Sequence, residues 1–117
     1  MLGIAPQPTI FLHTSATDMR KSFDGLTGLV RGTFGSDPTD GSLFLFVNKR
    51  RDRIKALRWD GDGFVLWYKR LEQGTFETVP APEGEARVRI DATQLAMILG
   101  GVTLENTKRR KRYRLSS

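Results

Sequence analysis

The chain has 117 residues, 38% hydrophobic and 27% charged, a composition typical of a single globular domain. It contains no cysteine, which excludes a disulfide framework and a cysteine nucleophile. Its one histidine, His13, argues against a multi-histidine metal site or a serine-type triad. Because no apolar run approaches the ~20 residues that span a bilayer and the N-terminus does not resemble a signal peptide, we expect a cytoplasmic protein without a membrane partner.

The net charge of +6 is unevenly distributed. Residues 108–114 hold six of the 19 basic residues, so the other 13 equal the acidic residues in number. A second basic cluster lies at 49–58. Such clusters attract polyanions, so both are predicted to contact nucleic acid. The predicted phosphate-binding residues are Lys49, Arg50, Arg51, Arg53, Lys55, Arg58, Lys108, Arg109, Arg110, Lys111, Arg112 and Arg114.

The N-terminal part of the chain predicts a strand followed by a helix. After the strand at 9–13, Ser15 and Asp18 form a capping-box-like helix start. An apolar face follows at helical spacing, formed by Met19, Phe23, Leu26 and Val30. The glycines within this helix favour close packing against another element, with approach to a ligand as the alternative; they are Gly25, Gly28 and Gly32.

The rest of the chain predicts four more strands and a helix. Leu43–Val47 is an apolar run typical of a central strand buried on both faces. The turn at 60–63 has Asp-Gly pairs that favour a hairpin, and Asp91 with Gln94 caps the last helix. The other strands are predicted at 53–59, 64–70 and 86–90.

These elements predict an α+β fold, an antiparallel sheet of about four to five strands with two helices. The domain is expected to occupy residues 1–107. Residues 108–117 are expected to form a basic, flexible tail.

Trp67 and Tyr68 lie on the strand that follows the basic cluster. Aromatic rings on an exposed strand can stack on bases or dock a partner, whereas buried rings serve packing. Both interpretations of these two side chains stay open.

Candidate catalytic groups are few. Asp60 and Asp62 lie in a glycine-rich turn, but the further oxygen ligands and late glutamate of a calcium loop are missing. No phosphate-binding or dinucleotide-binding glycine motif occurs. We therefore expect a protein that is not an enzyme, with no catalytic residue, no metal and no cofactor.

Two stretches resemble the small accessory protein of insertion sequence 66-type bacterial transposable elements, the TnpB-type product of the second reading frame. The first is Asp18-Met19-Arg20-Lys21-Ser22-Phe23-Asp24-Gly25-Leu26. The second begins at Leu43-Phe44-Leu45-Phe46-Val47, continues through Asp52-Arg53-Ile54-Lys55, Trp59-Asp60-Gly61-Asp62-Gly63-Phe64 and Leu66-Trp67-Tyr68-Lys69-Arg70-Leu71-Glu72, and closes at Gly74-Thr75-Phe76. The similarity covers residues 9–76 well. One departure is Val79 before Pro80, where such proteins commonly have tryptophan.

The resemblance implies a non-catalytic role in transposition, beside a separate transposase that carries the catalytic carboxylates. Two hypotheses follow from it and from the charge pattern. In the first, the protein contacts DNA at the element ends and helps transposase act there. In the second, it is a protein–protein adaptor that binds transposase without touching DNA. Under either hypothesis the protein could form a homo-oligomer.

Overall fold

A computed structural model describes residues 8–100, which form five strands and two helices. In chain order they are β1 (Ile10–His13), α1 (Phe23–Gly32), β2 (Leu43–Val47), β3 (Arg53–Trp59), β4 (Phe64–Arg70), β5 (Arg87–Ile90) and α2 (Ala92–Gly100). Each strand lies within one residue of its predicted bounds. The predicted domain boundary at 107 and the tail at 108–117 lie outside the described residues.

The strands form one sheet in the order β4-β3-β2-β1-β5. The predicted α+β fold is confirmed, and three of the four strand pairs are antiparallel. The pair β1–β2 is parallel instead. Helix α1 lies between these two strands in the chain, and a connection of this kind returns the chain to the same end of the sheet.

The two faces of the sheet carry separate cores. Side chains alternate along each strand, so neighbouring residues in the sequence belong to opposite faces. On one face, α1 packs through Leu26 and Val30 on Phe44, Phe46 and Leu57. On the other, Ile98 of α2 packs with strand residues and with Phe76 of the long connection; the strand residues are Ile10, Leu12, Leu45, Val47, Ile54, Ala56 and Ile90.

Helix α1 begins later than the sequence pattern predicts. Its N-cap is Ser22, not Ser15, and Met19 precedes the helix although it packs on the same core. Asp18 is engaged in a local turn, in which its carboxylate accepts hydrogen bonds from the backbone N–H and the side chain of Arg20. That local alternative to the helix explains why the predicted start is wrong.

Helix α2 begins as predicted. The backbone N–H of Gln94 donates to the Asp91 carboxylate at 2.7 Å, and the Asp91 N–H donates to the Gln94 side chain at 2.9 Å. This reciprocal pair satisfies two N–H groups at the start of the helix. The cap fixes the direction in which α2 leaves β5.

Gly28 offers a test of helix packing. The close packing expected of the helical glycines is wrong for Gly28 and Gly32, because a Cβ added at either position would meet nothing within 4 Å. Gly28→Ala is therefore expected to raise the free energy of unfolding by about 1 kcal/mol, the helix propensity difference. Chemical denaturation measures it. Gly25→Ala is the control, expected to gain less because its Cβ would lie 3.1 Å from the Lys21 side chain.

Candidate nucleic-acid interface

The turn between β2 and β3 presents three exposed cations, Lys49, Arg50 and Arg51. Asn48 organises it: its side-chain oxygen accepts from the N–H groups of Asp52 (3.1 Å) and Arg53 (3.0 Å). Its amide donates to the Asp52 carboxylate at 2.7 Å. The carboxylate of Asp52, the acidic residue of the turn, is thus bonded to Asn48 within the turn, and the three cations are left exposed to solvent. We call Lys49, Arg50 and Arg51 the basic turn.

Backbone hydrogen bonds tie the basic turn to the segment after β4. The carbonyl of Arg51 accepts from Phe76 N–H at 2.6 Å, and that of Asp52 accepts from Leu71 N–H at 2.7 Å. Phe76 is completely buried. The basic turn is therefore held by the core rather than projecting as a free loop, which reduces the conformational entropy lost when it binds a partner.

Arg51 adopts a left-handed backbone conformation, with φ of 59°. This region is costly for a residue with a long side chain and is well tolerated by asparagine. Arg51→Asn is expected to raise the free energy of unfolding by about 0.5–1 kcal/mol while removing one positive charge. Thermal denaturation tests this. Arg50→Asn removes the same charge at a residue with negative φ, and a similar gain there would contradict the explanation.

Further cations join the basic turn through the register of β3 and β4. Arg53 lies directly opposite Arg70, and Ile54 lies opposite Lys69. Like charges directly opposite one another destabilise a sheet. Glu72 partly offsets this by pairing with Arg70 at 2.7 Å, while Arg53 donates to the Tyr68 hydroxyl at 3.2 Å. Lys69 and Arg70 were missed in the sequence, although the hairpin turn at 60–63 fixes their register.

Lys55 does not belong to this exposed set. It is 6% exposed, and its Nζ donates to the backbone carbonyls of Met19 (2.7 Å) and Lys21 (2.6 Å). The ammonium also lies 4.7 Å from the centre of the Tyr68 ring. Lys55 therefore joins the segment before α1 to the sheet, and the residues around it occupy the donors that a phosphate would need.

Arg58 lies at the opposite end of the hairpin. It is the cross-strand neighbour of Val65 and pairs with Asp60 at 3.4 Å. At ~3.3 Å per residue, five residues of strand separate it from Arg53 by about 17 Å. The predicted cluster at 49–58 is thus divided, with the basic turn and Arg53 at one end and Arg58 at the other.

Trp67 and Tyr68 are both exposed, at 44% and 47%, and point to opposite faces of β4. They are therefore accessible rings rather than core. Tyr68 lies between Arg53 and Lys55, whereas Trp67 shares its face with Lys69. One edge strand thus combines aromatic rings with neighbouring cations, the combination that single-stranded nucleic acids favour.

Arg20, a basic residue of the segment before α1, forms an ion pair with Asp18 at 2.7 Å. The side-chain hydrogen bond from Arg20 lowers the pKa of Asp18 to about 2. Both side chains are exposed, so water screens the pair. Lys21 contributes its carbonyl, rather than its charge, to the Lys55 site.

Candidate groups for catalysis are dispersed. Over residues 8–100, no three His, Cys, Asp or Glu side chains come together as a metal site. His13 is buried between Phe34 and Phe46, with Nδ1 3.1 Å from the Thr17 hydroxyl, and burial lowers its pKa. It is a core histidine of the α1 face. In the same part of the chain, neither helix is long and apolar enough to cross a membrane.

Comparison with known proteins shows the family to which the chain belongs. The model of the IS66 Orf2-like proteins matches residues 8–109. An uncharacterized protein of Sinorhizobium fredii (strain NBRC 101917 / NGR234), y4jC, is 31% identical over 110 residues, covering 94% of this chain and 92% of its own. A second from that strain, y4hO, is 34% identical over 102 residues, covering 87% of each chain. No solved structure matches. Because the match spans the whole sheet, both helices and the basic turn, the chain belongs to the IS66 Orf2-like family, whose members are associated with insertion sequences.

Proposed function

We propose that this protein is a non-catalytic accessory protein of insertion-sequence transposition that binds DNA and helps transposase act on the element ends. The observation that carries the proposal is the basic turn. Its three cations are exposed, and the neighbouring carboxylate of Asp52 is hydrogen-bonded to Asn48. The backbone carbonyls of Arg51 and Asp52 accept hydrogen bonds from Phe76 and Leu71, which hold the turn in place. A fixed group of cations is suited to neighbouring phosphates along a backbone.

The proposed interface extends from the basic turn along β3 and β4. Arg53, Lys69 and Arg70 supply further charge, and Tyr68 supplies a ring beside them. No side chain of this proposed interface is placed so as to recognise a particular base. Binding through this surface is therefore expected to be largely independent of sequence, with positions set by phosphate contacts.

The tail at 108–114 is proposed to add affinity by the same means. We call the slope of the logarithm of the binding constant against the logarithm of the salt concentration the salt slope; each phosphate contact contributes ~0.9 to its magnitude. Changing the six basic residues of the tail to glutamine in the full-length chain is expected to reduce the magnitude of the salt slope for duplex DNA by about 5. Fluorescence anisotropy over a salt series measures the slope. An element-end duplex and a scrambled one of equal length should show the same reduction.

The same titration separates the two hypotheses. If the wild-type chain binds neither duplex near physiological salt, direct DNA binding is wrong. Binding to purified transposase without DNA would then favour the adaptor. A slope unchanged by the glutamine substitutions would remove only the tail from the interface and leave the basic turn as its centre.

A further inference from the structure

The outer edge of β4 has none of the features that usually keep an edge strand from pairing with another chain. β4 ends the strand order, so one side of it has no strand partner among residues 8–100. It pairs continuously with β3 over seven residues, without a bulge or a proline. Edge strands are commonly protected by bulges, prolines, short length or central charges. Residues 64–68 carry none of these, and the only cations, Lys69 and Arg70, lie at one end.

The hairpin turn shows which backbone groups point outwards. Asp60 N–H donates to Gly63 C=O, so this is a hydrogen-bonded pair. Such pairs alternate along an antiparallel ladder, and the bond from Leu71 N–H to Asp52 C=O agrees with the alternation. The N–H and C=O groups that face the open edge therefore belong to Phe64, Leu66, Tyr68 and Arg70.

We propose that two copies of this chain pair through their β4 edges, antiparallel, about a two-fold axis at Trp67. Only this register opposes Leu66 with Tyr68 and Phe64 with Arg70 of the second copy, and it uses every outward-facing backbone group. Trp67 of one copy then lies opposite Trp67 of the other in a non-hydrogen-bonded pair, the kind of pair in which side chains approach most closely. The two sheets become one continuous sheet with an isologous interface.

Charge selects this arrangement over the parallel one. An in-register parallel pairing would place Lys69 and Arg70 next to the same two cations of the second copy. In the antiparallel pairing, Lys69 lies opposite Val65 of the second copy, and Arg70 lies opposite Phe64. The two Arg53 residues, each three residues from the axis, lie about 20 Å apart along the strands, beyond the ~8 Å screening length. The exposed ring of Trp67 (44%) gains the same ring of the second copy as its direct neighbour, and the exposed side chain of Val65 (50%) lies diagonally across from that ring.

Cysteine cross-linking tests the register, since the chain contains no cysteine. Val65 should lie opposite Lys69 of the second copy at a Cα separation of ~4.5 Å, within the range of a disulfide. Two copies of the same position should be about 13 Å apart. A mixture of Val65→Cys and Lys69→Cys chains, oxidised without DNA, is therefore expected to give disulfide-linked heterodimers. Each variant alone should remain largely uncross-linked.

Sedimentation equilibrium of unmodified Val65 variants provides the second measurement. Val65→Glu should bind Lys69 of the second copy and lower the dimer dissociation constant about fivefold, whereas Val65→Lys should raise it by a similar factor. A wild-type chain that stays monomeric at all accessible concentrations would overturn the proposal. So would a dimer that neither variant affects, or cross-linking of each cysteine variant alone as readily as of the mixture. DNA binding is absent from both assays, so their failure is separate from that of the proposed function.

Discussion

Replacing Lys55 by methionine is expected to lower the free energy of unfolding by about 2 kcal/mol, because two partly buried carbonyls lose charge-assisted hydrogen bonds. Those carbonyls belong to Met19 and Lys21, 36 and 34 residues earlier in the chain. Methionine fills a similar volume, so the loss reports the hydrogen bonds more than packing. Urea denaturation followed by circular dichroism measures the difference.

Lys69→Met is the matched control for this substitution. It removes the same charge from the neighbouring strand, at an exposed position directly opposite Ile54. An exposed substitution of this kind is expected to change the free energy of unfolding by less than about 0.5 kcal/mol. Equal effects of the two variants would show that the Lys55 contacts contribute little to the fold.

The Lys55 variant also distinguishes a structural lysine from a phosphate contact. Under conditions in which the variant is folded, its DNA binding should show the same salt slope as wild type, because its ammonium faces carbonyls rather than solvent. The sequence alone placed Lys55 with the DNA-binding cations. A reduction of the slope by about 0.9 would support that earlier hypothesis.

Local signals explain which parts of the fold are predictable. The strands are found within a residue because turn chemistry brackets them, above all at 60–63. The cap of α2 is found because Asp91 and Gln94 are three residues apart. The start of α1 is missed because Asp18 closes a turn of its own with Arg20.

Non-local contacts explain what could not be predicted. The parallel pairing of β1 with β2 depends on where α1 packs, and periodicity alone does not show that. The burial of Lys55 depends on carbonyls more than 30 residues away, so a basic cluster that is contiguous in sequence divides in space. By contrast, Lys69 and Arg70 could have been added from the hairpin register alone.

The basic turn should dominate duplex binding by the folded domain. Changing Lys49 and Arg50 to serine and Arg51 to asparagine is expected to reduce the salt slope by about 2.7 and the affinity by about a hundredfold near 0.15 M salt, at ~0.9 per phosphate contact. Asparagine at position 51 suits the left-handed backbone conformation, so unfolding should not account for the loss. Anisotropy titrations with the tail intact measure both quantities.

The control for the basic turn removes three cations elsewhere, Arg31, Arg58 and Arg89, each changed to serine. Arg31 lies on α1, Arg89 on β5 and Arg58 at the far end of the hairpin, so the net charge falls equally while the basic turn stays intact. If charge alone attracts DNA, the two triple variants will lose affinity equally. If the fixed geometry of the basic turn matters, the control should keep most of the wild-type slope, since screening limits cations more than ~8 Å from the phosphates.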